Sequence, residues 1–191
     1  MATSRPARKG AHLAASSSEE RLVAAARERD EEAWSSIFDE HFQPLYRYAY
    51  YRIGDLSAAE EIAAQVFEEA LRGIKRFEYR GASIRAWLFG IARHLTAKHL
   101  ASRTRAAQTS LQDTVAGTDE VSSGLEQEEL LAALRALPEE QQQVVGMTLL
   151  EDLSARDCAL AMGKTVRQVN SLQIQALRQL RATVSDARLA R

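Results

Sequence analysis

A chain of 191 residues with 46% hydrophobic side chains has enough apolar material for one domain or two small ones, which excludes disorder throughout. The single cysteine, Cys158, excludes an internal disulfide and fits a reducing compartment. No apolar run is long enough to cross a membrane and the Ala/Ser-rich start lacks a signal-peptide core, so the expected location is cytoplasmic.

The formal net charge of −1 conceals a segregated pattern. Residues 71–105 hold nine Lys or Arg against Glu78 alone, residues 117–157 hold ten Asp or Glu against Arg135 and Arg156, and from Lys164 onward Asp186 is the only acid. Two positive surfaces separated by an acidic stretch are hidden in the average, and each is a candidate for an anionic partner.

In chain order, Met1 to Ser18 is small, polar and aperiodic and reads as a disordered lead-in. Leu22, Val23 and Ala26 mark a short amphipathic helix. Asp30 is a suitable N-cap for a second helix with Trp34, Ile37, Phe38 and Phe42, which Pro44 is expected to break or kink before Gly54 stops it. Ser57 and Glu60 form a capping box for a third helix, with Ile62, Val66, Phe67 and Leu71 inward and Glu60, Glu61, Ala64, Gln65 and Glu68 outward. Phe77 to Ala82 is a loop around Gly81. Ser83 then caps a helix to Arg105 with one apolar stripe, Ile84, Trp87, Leu88, Ile91 and Leu95. Arg85, Arg93, Thr96 and Arg103 face away from the stripe, and helical spacing puts Phe89 on that outward, basic side.

Residues 106–124 lose periodicity and fill with Thr, Ser, Gly, Asp and Gln, as a linker would. Nineteen residues reach at most roughly 60 Å. Leu125 to Leu137 is the next helix, and Pro138 starts another that ends near Leu150. Two capping boxes follow, Ser154 with Asp157 and Thr165 with Gln168, separated by Gly163. No strand and no internal repeat is evident.

A short helix, a glycine turn and a longer helix form the helix-turn-helix pattern, whose second helix enters the major groove. Val166, Val169, Ala176, Leu177 and Leu180 make its inward stripe, and Arg167, Gln168, Ser171, Ile174, Gln175 and Arg178 face outward. Amides can read adenine edges, Arg and Lys can pair with guanine or phosphate, and Lys164 at the turn suits a phosphate. Two helices with a glycine turn also occur in ordinary bundles.

Four segments, Ala59 to Phe67 (AEEIAAQVF), Arg85 to Arg93 (RAWLFGIAR), Leu134 to Val145 (LRALPEEQQQVV) and Leu153 to Ser171 (LSARDCALAMGKTVRQVNS), occur in the order and at the spacing of one family. With the charge layout, they make the chain from about Glu20 to Leu180 resemble the extracytoplasmic-function (ECF) group of bacterial RNA polymerase sigma-70 factors. The resemblance implies an all-α protein of two small helical domains joined by a flexible acidic linker. Residues 1–18 would be a disordered N-terminus, 19–105 a sigma region 2-like domain, 106–124 the linker, 125–182 a region 4-like helix-turn-helix domain and 183–191 a tail.

It implies binding of core RNA polymerase and direction of promoter recognition and melting, with no enzymatic reaction and no cofactor or metal. Partners would be core polymerase (its β′ clamp helices and β flap), promoter DNA and, from the family's habits, an anti-sigma factor. Carried onto this sequence, the −10 element would meet Phe77, Tyr79, Arg80, Arg93, His94 and Lys98. The −35 element would meet Lys164, Arg167, Gln168, Asn170, Ser171, Gln175 and Arg178, and core polymerase Glu60, Glu61, Ala64, Gln65 and Glu68. Aromatic faces beside cations suit capture of unpaired bases.

Three departures stand out. Ala64 and Gln65 replace the usual exposed Gln and acid, His94 and Lys98 replace Asn and Asp, and Asn170, Leu172 and Gln175 stand where Lys and Arg are common. They keep two rivals open: a sigma-like adaptor with weak promoter or core binding, and a helix-turn-helix regulator that binds duplex DNA without polymerase. An enzyme is disfavoured because His12, His41, His94 and His99 lack metal spacing and no phosphate loop or nucleophile motif occurs. Cys158 falls at an apolar packing position.

Overall fold

The computed structural model describes the backbone of residues 18–78, 83–109 and 131–189, and side chains within 18–78, 83–106 and 131–183. Among the described residues the regular structure is helical throughout. Residues 18–27 form α1, followed by α2 (Glu31–Ile53), α3 (Leu56–Gly73) and α4 (Ile84–Thr109). Residues 131–135 are the described part of α5, and α6 (Glu139–Val145), α7 (Ala155–Met162) and α8 (Val166–Leu189) complete the chain. The expected disordered lead-in 1–17 and most of the expected linker, 110–124, lie outside the described residues.

α2, α3, α4, α7 and α8 each begin where a side chain satisfies a first free amide. The Ala33 amide donates to the Asp30 carboxylate over 2.8 Å. At α3 the structure corrects the expected cap: Asp55, two residues before Ser57, accepts from the Ala58 amide at 2.9 Å. An ionised carboxylate also suits the positive end of the helix dipole better than a hydroxyl. Ser83 accepts from the Ala86 amide at 3.1 Å and Ser154 from the Asp157 amide at 3.0 Å. Gly54 and Gly163 close α2 and α7 with left-handed φ of 76° and 63°, a conformation that glycine adopts without a Cβ penalty.

Other expectations change with the tertiary context. Pro44 does not end its helix: α2 runs through it to Ile53. Leu71 lies one step round from Phe67, past the edge of the covered stripe, and is 44% exposed. Val166 and Leu177, expected inward on α8, are 43% and 37% exposed, while Val169 and Ala176 hold that helix to its neighbours. α4 reaches Thr109, four residues past its expected end.

The largest correction concerns α4. It packs against α2 and α3 on one side and α7 on another, so the face read as outward is covered from Arg85 to Thr96, while Arg103 beyond it is exposed as expected. Phe89 is fully buried, its ring edge-on to Tyr48 at 5.5 Å between centroids. Thr96 is also fully buried and returns its hydroxyl to the Ala92 carbonyl at 2.7 Å. One apolar cluster therefore runs from Val23 and Ala26 of α1 through Ile37, Val66 and Leu88 to Val144, Met147, Cys158 and Val169. A smaller cluster, Leu134, Leu137, Val145 and Ala176, joins α5, α6 and α8.

After Val145 the chain makes one π turn, Gly146–Leu150, in which the Glu151 amide donates to the Gly146 carbonyl at 3.1 Å. Such a turn holds one more residue than an α-turn and re-aims whatever follows it. Here it directs the Glu151 side chain into the packed boundary between the first four helices and the last four, where it is fully buried.

Candidate nucleic-acid interface

The helix-turn-helix is built by its caps. Ser154 starts α7, Gly163 turns the chain, and Thr165 with Gln168 starts α8: the Thr165 amide donates to Gln168 Oε1 at 2.8 Å and the Gln168 amide to Thr165 Oγ1 at 3.3 Å. Gln168 thus has one carboxamide atom engaged in the cap. Arg167, Gln168, Asn170, Ser171, Gln175 and Arg178 are all exposed along α8, and Gln175 Nε2 donates to Ser171 Oγ at 3.3 Å. Ile174, 52% exposed, sits among them as an apolar contact suited to a thymine methyl. Lys164 is half-buried and paired with Glu140 at 2.7 Å, so a phosphate would have to displace that carboxylate.

The residues expected at a melted strand are dispersed differently. Phe77 is buried and stacked on Trp87 at 4.9 Å, which leaves its ring no free face for a base. Tyr79 and Arg80 lie outside the described residues. Arg93 is half-buried, with Nε donating to the Ala161 carbonyl of α7 at 3.2 Å. His94 and Lys98 are exposed one helical turn apart on α4. A cleft of about 520 Å³ between α4 and α7 is lined by Phe77, Trp87, Ile91, His94, Leu160 and Ala161.

On α3, Glu60, Glu61, Ala64, Gln65 and Glu68 are all exposed, Glu68 pairing with Arg72 at 2.9 Å. An exposed i, i+4 pair of this kind contributes only about 0.3–0.5 kcal/mol and leaves the carboxylate available to a partner.

A polar set missed in the sequence lies at the boundary between the two halves. Arg47 of α2 donates to both oxygens of Glu151, Nε at 3.0 Å and Nη2 at 2.7 Å. Burial raises the Glu151 carboxyl above the ordinary carboxylate range, with Arg47 and Arg85 pulling the other way. Arg85 Nη2 donates to the Glu151 carbonyl, and its guanidinium lies 5.9 Å from the Phe89 ring centre. Arg52 donates to the Glu139 carbonyl at 3.0 Å and Ser83 to Asp157 at 2.9 Å. The available signal was charge complementarity, since Glu139, Glu151 and Asp157 belong to the acidic stretch and their partners precede it.

Cys158 is fully buried between Met147 and Met162, and burial pushes its thiol up to about 12, as expected of a packing residue. Among the described residues no group of three or more His, Cys, Asp or Glu could hold a metal ion, and no helix is long and apolar enough to cross a membrane.

Residues 37–106 match the family described as Sigma-70 region 2, and residues 127–180 match Sigma-70, region 4. The chain is 35% identical over 172 residues to the ECF RNA polymerase sigma factor BldN of Streptomyces coelicolor, covering 86% of this chain and 65% of that protein's length. It is 29% identical over 133 residues to the ECF RNA polymerase sigma factor SigC of Mycobacterium tuberculosis, covering 68% of this chain and 71% of the relative. Two solved structures share the fold. CnrH, in complex with the cytosolic domain of CnrY, has a TM-score of 0.68 at 18% identity, covering 88% of this chain and 97% of that one. RpoE of Bartonella quintana, in complex with the anti-sigma factor NepR, has a TM-score of 0.65 at 19% identity, covering 79% and 96%.

Proposed function

Because the chain belongs to the ECF group of the sigma-70 family, we propose that it is a cytoplasmic, non-enzymatic initiation factor that binds core RNA polymerase and directs promoter recognition and melting. The observation that carries this reading is the pairing, in one chain, of both sigma-70 segments with a helix-turn-helix whose second helix presents Arg167, Asn170, Ser171, Gln175 and Arg178 to solvent.

In this reading residues 19–105 form the −10 and polymerase-binding module and 125–182 the −35 module. The α8 face reads the −35 major groove, with Arg167 and Arg178 positioning on phosphate or guanine and the amides reading adenine. His94 and Lys98 lie on the −10 side, with Tyr79 and Arg80 as further −10 residues. Phe77 and Arg93 join them only when their contacts to Trp87 and Ala161 are released. The exposed α3 face, Glu60, Glu61, Ala64, Gln65 and Glu68, meets the β′ clamp helices, and an anti-sigma factor is a further partner. The solved relative RpoE, bound to the anti-sigma factor NepR, supports that last assignment.

The test is run-off transcription by core polymerase with this chain on a promoter library. A product that requires the chain supports the reading. Core association without any product favours a sigma-like adaptor, the rival that Ala64 and Gln65 keep in play. A footprint on duplex DNA without polymerase favours an ordinary regulator.

A further inference from the structure

Two hydrogen bonds tie α1 to opposite ends of one short connection. At its start, the Arg27 guanidinium donates through Nη2 to the Phe77 carbonyl, just past the 3₁₀ turn Ile74–Arg76. At its finish, the Ile84 amide, the first of α4, donates to the Glu19 carboxylate at 2.6 Å. Tyr79 and Arg80 fall between these two anchors in the sequence. Glu19 and Arg27 are themselves held a fixed distance apart, about 12 Å, by the rise of the helix that carries both.

α1 is fastened to the core independently of these bonds. Val23 and Ala26 are buried in the main apolar cluster, and the Trp34 indole donates to the Ala26 carbonyl at 3.0 Å. The Phe77 end is equally firm: its ring stacks on Trp87, and Gly73 lets that indole approach, since a Cβ there would lie 3.3 Å from it. As a contribution to folding the Arg27 bond is poor. Its Nε is buried without a hydrogen-bond partner, a cost that offsets what Nη2 gains. Position, then, is what Arg27 supplies. Glu19 places a carboxylate at the positive end of α4, which suits the helix dipole and fixes where that helix begins.

We infer that α1 is a splint for −10 recognition, with Glu19 and Arg27 as positioning residues. It sets Phe77 at a fixed offset from α4, which carries His94 and Lys98 further along. Neither residue has to touch DNA, because each acts through a backbone group of its neighbour. α1 precedes residues 37–106, the segment matched to Sigma-70 region 2, and so adds a part that the match does not cover. The inference rests on the initiation-factor reading, since only a chain that reads a −10 element has use for such spacing.

The test is run-off transcription by core polymerase with the full chain on two sets of templates. One set varies the −10 bases and keeps the −35 element, and the other does the reverse. The readout is a selectivity ratio, the yield from the preferred element over that from its single-base changes. Glu19→Ala and Arg27→Met, which keeps the aliphatic stem, should each lower the −10 ratio about fivefold, the equivalent of one hydrogen bond, while the −35 ratio holds. Glu19→Gln, still an acceptor, and Arg27→Lys, still a cationic donor, should restore most of it. A chain that is merely destabilised lowers the yield from every template together and leaves both ratios unchanged. Unchanged −10 ratios in both truncated variants overturn the splint, and so does a −35 ratio that falls in step with the −10 ratio. Hydrogen exchange in the unsubstituted chain gives a second reading that depends on no variant folding: the Ile84 amide should be protected, and exchange at the rate of a free amide overturns the splint. The unsubstituted chain yields a transcript only if the initiation-factor reading holds, so failure of that reading shows in the control and failure of the splint only in the variants and the exchange rate.

Discussion

Phe89→Ala separates the covered arrangement of α4 from the one-sided helix that its sequence suggests. If the ring lay on an outward face, its removal would change stability by no more than about 0.5 kcal/mol. In the structure it is fully buried and edge-on to Tyr48. Truncating a buried Phe costs about 3–5 kcal/mol, of which the aromatic pair accounts for about 0.5–1.5. Against a typical total of about 5–15 kcal/mol that is a large share. With a urea dependence of about 2 kcal/mol per molar, the unfolding midpoint should fall by roughly 2 M. The assay is urea unfolding followed by circular dichroism, with Leu88→Ala as a control, because Leu88 is fully buried on the adjacent step of the helix. A midpoint shift below about 0.3 M for Phe89→Ala alongside a large one for Leu88→Ala would refute the covered arrangement.

Four further outcomes are expected. Asp55→Ala should cost about 1 kcal/mol in thermal or urea unfolding and Ser57→Ala only a few tenths, reversing the order that the Ser57 capping box implies. Cys158, with its thiol pushed up to about 12 and buried between two methionines, should react with a thiol reagent at pH 8 only as fast as the chain opens, and at once when unfolded. Glu151 should make the folded chain more stable in mild acid. Its folded carboxyl is raised, so its contribution is complete below the ordinary carboxylate range and is lost as the pH rises through the raised value. The groups acting on it are Arg47, Arg85, Asp152 and Tyr51, and Glu151→Gln should flatten that part of a stability-against-pH curve. Finally, His94→Ala or Lys98→Ala should change the −10 preference in promoter selection while polymerase association survives. Unchanged preference in both would shift the reading to Tyr79 and Arg80.

Local chemistry was legible in the sequence at most helix ends. Asp30, Gly54, Ser83, Ser154, Gly163 and the Thr165–Gln168 pair all act as their types and spacing imply. The exposed positions on α3 and α8 were equally legible, because each helix has one covered stripe and the period of 3.6 locates its opposite face. α4 resisted for the same physical reason. A helix covered on two sides has no single stripe, so the periodicity that puts Trp87 and Ile91 inward puts Phe89 and Thr96 outward, although the latter two are fully buried. Ser57 misled because Asp55, two residues earlier, offers a charged acceptor to the Ala58 amide. Of the two outcomes expected at Pro44 the break does not occur, because the breaking rule is local and the packed helix on either side of it persists. The acidic stretch was visible as composition, but nothing along the chain shows that three of its carboxyl groups meet Arg47, Arg52 and Ser83.

The π turn at Gly146–Leu150 gives the boundary between the halves a tolerance in residue number. Five residues at the π pitch and four at the α pitch advance the chain through about the same angle. Deleting Thr148 with relaxation to ordinary α geometry would therefore leave Glu151 on the side that faces Arg47. The same deletion one turn earlier, in the regular α6, has no surplus residue to give up and would turn everything after it by about 100°. Length variation is thus absorbed at this turn and not beside it, so otherwise similar sequences could differ by one residue here and still bring the same side chains together.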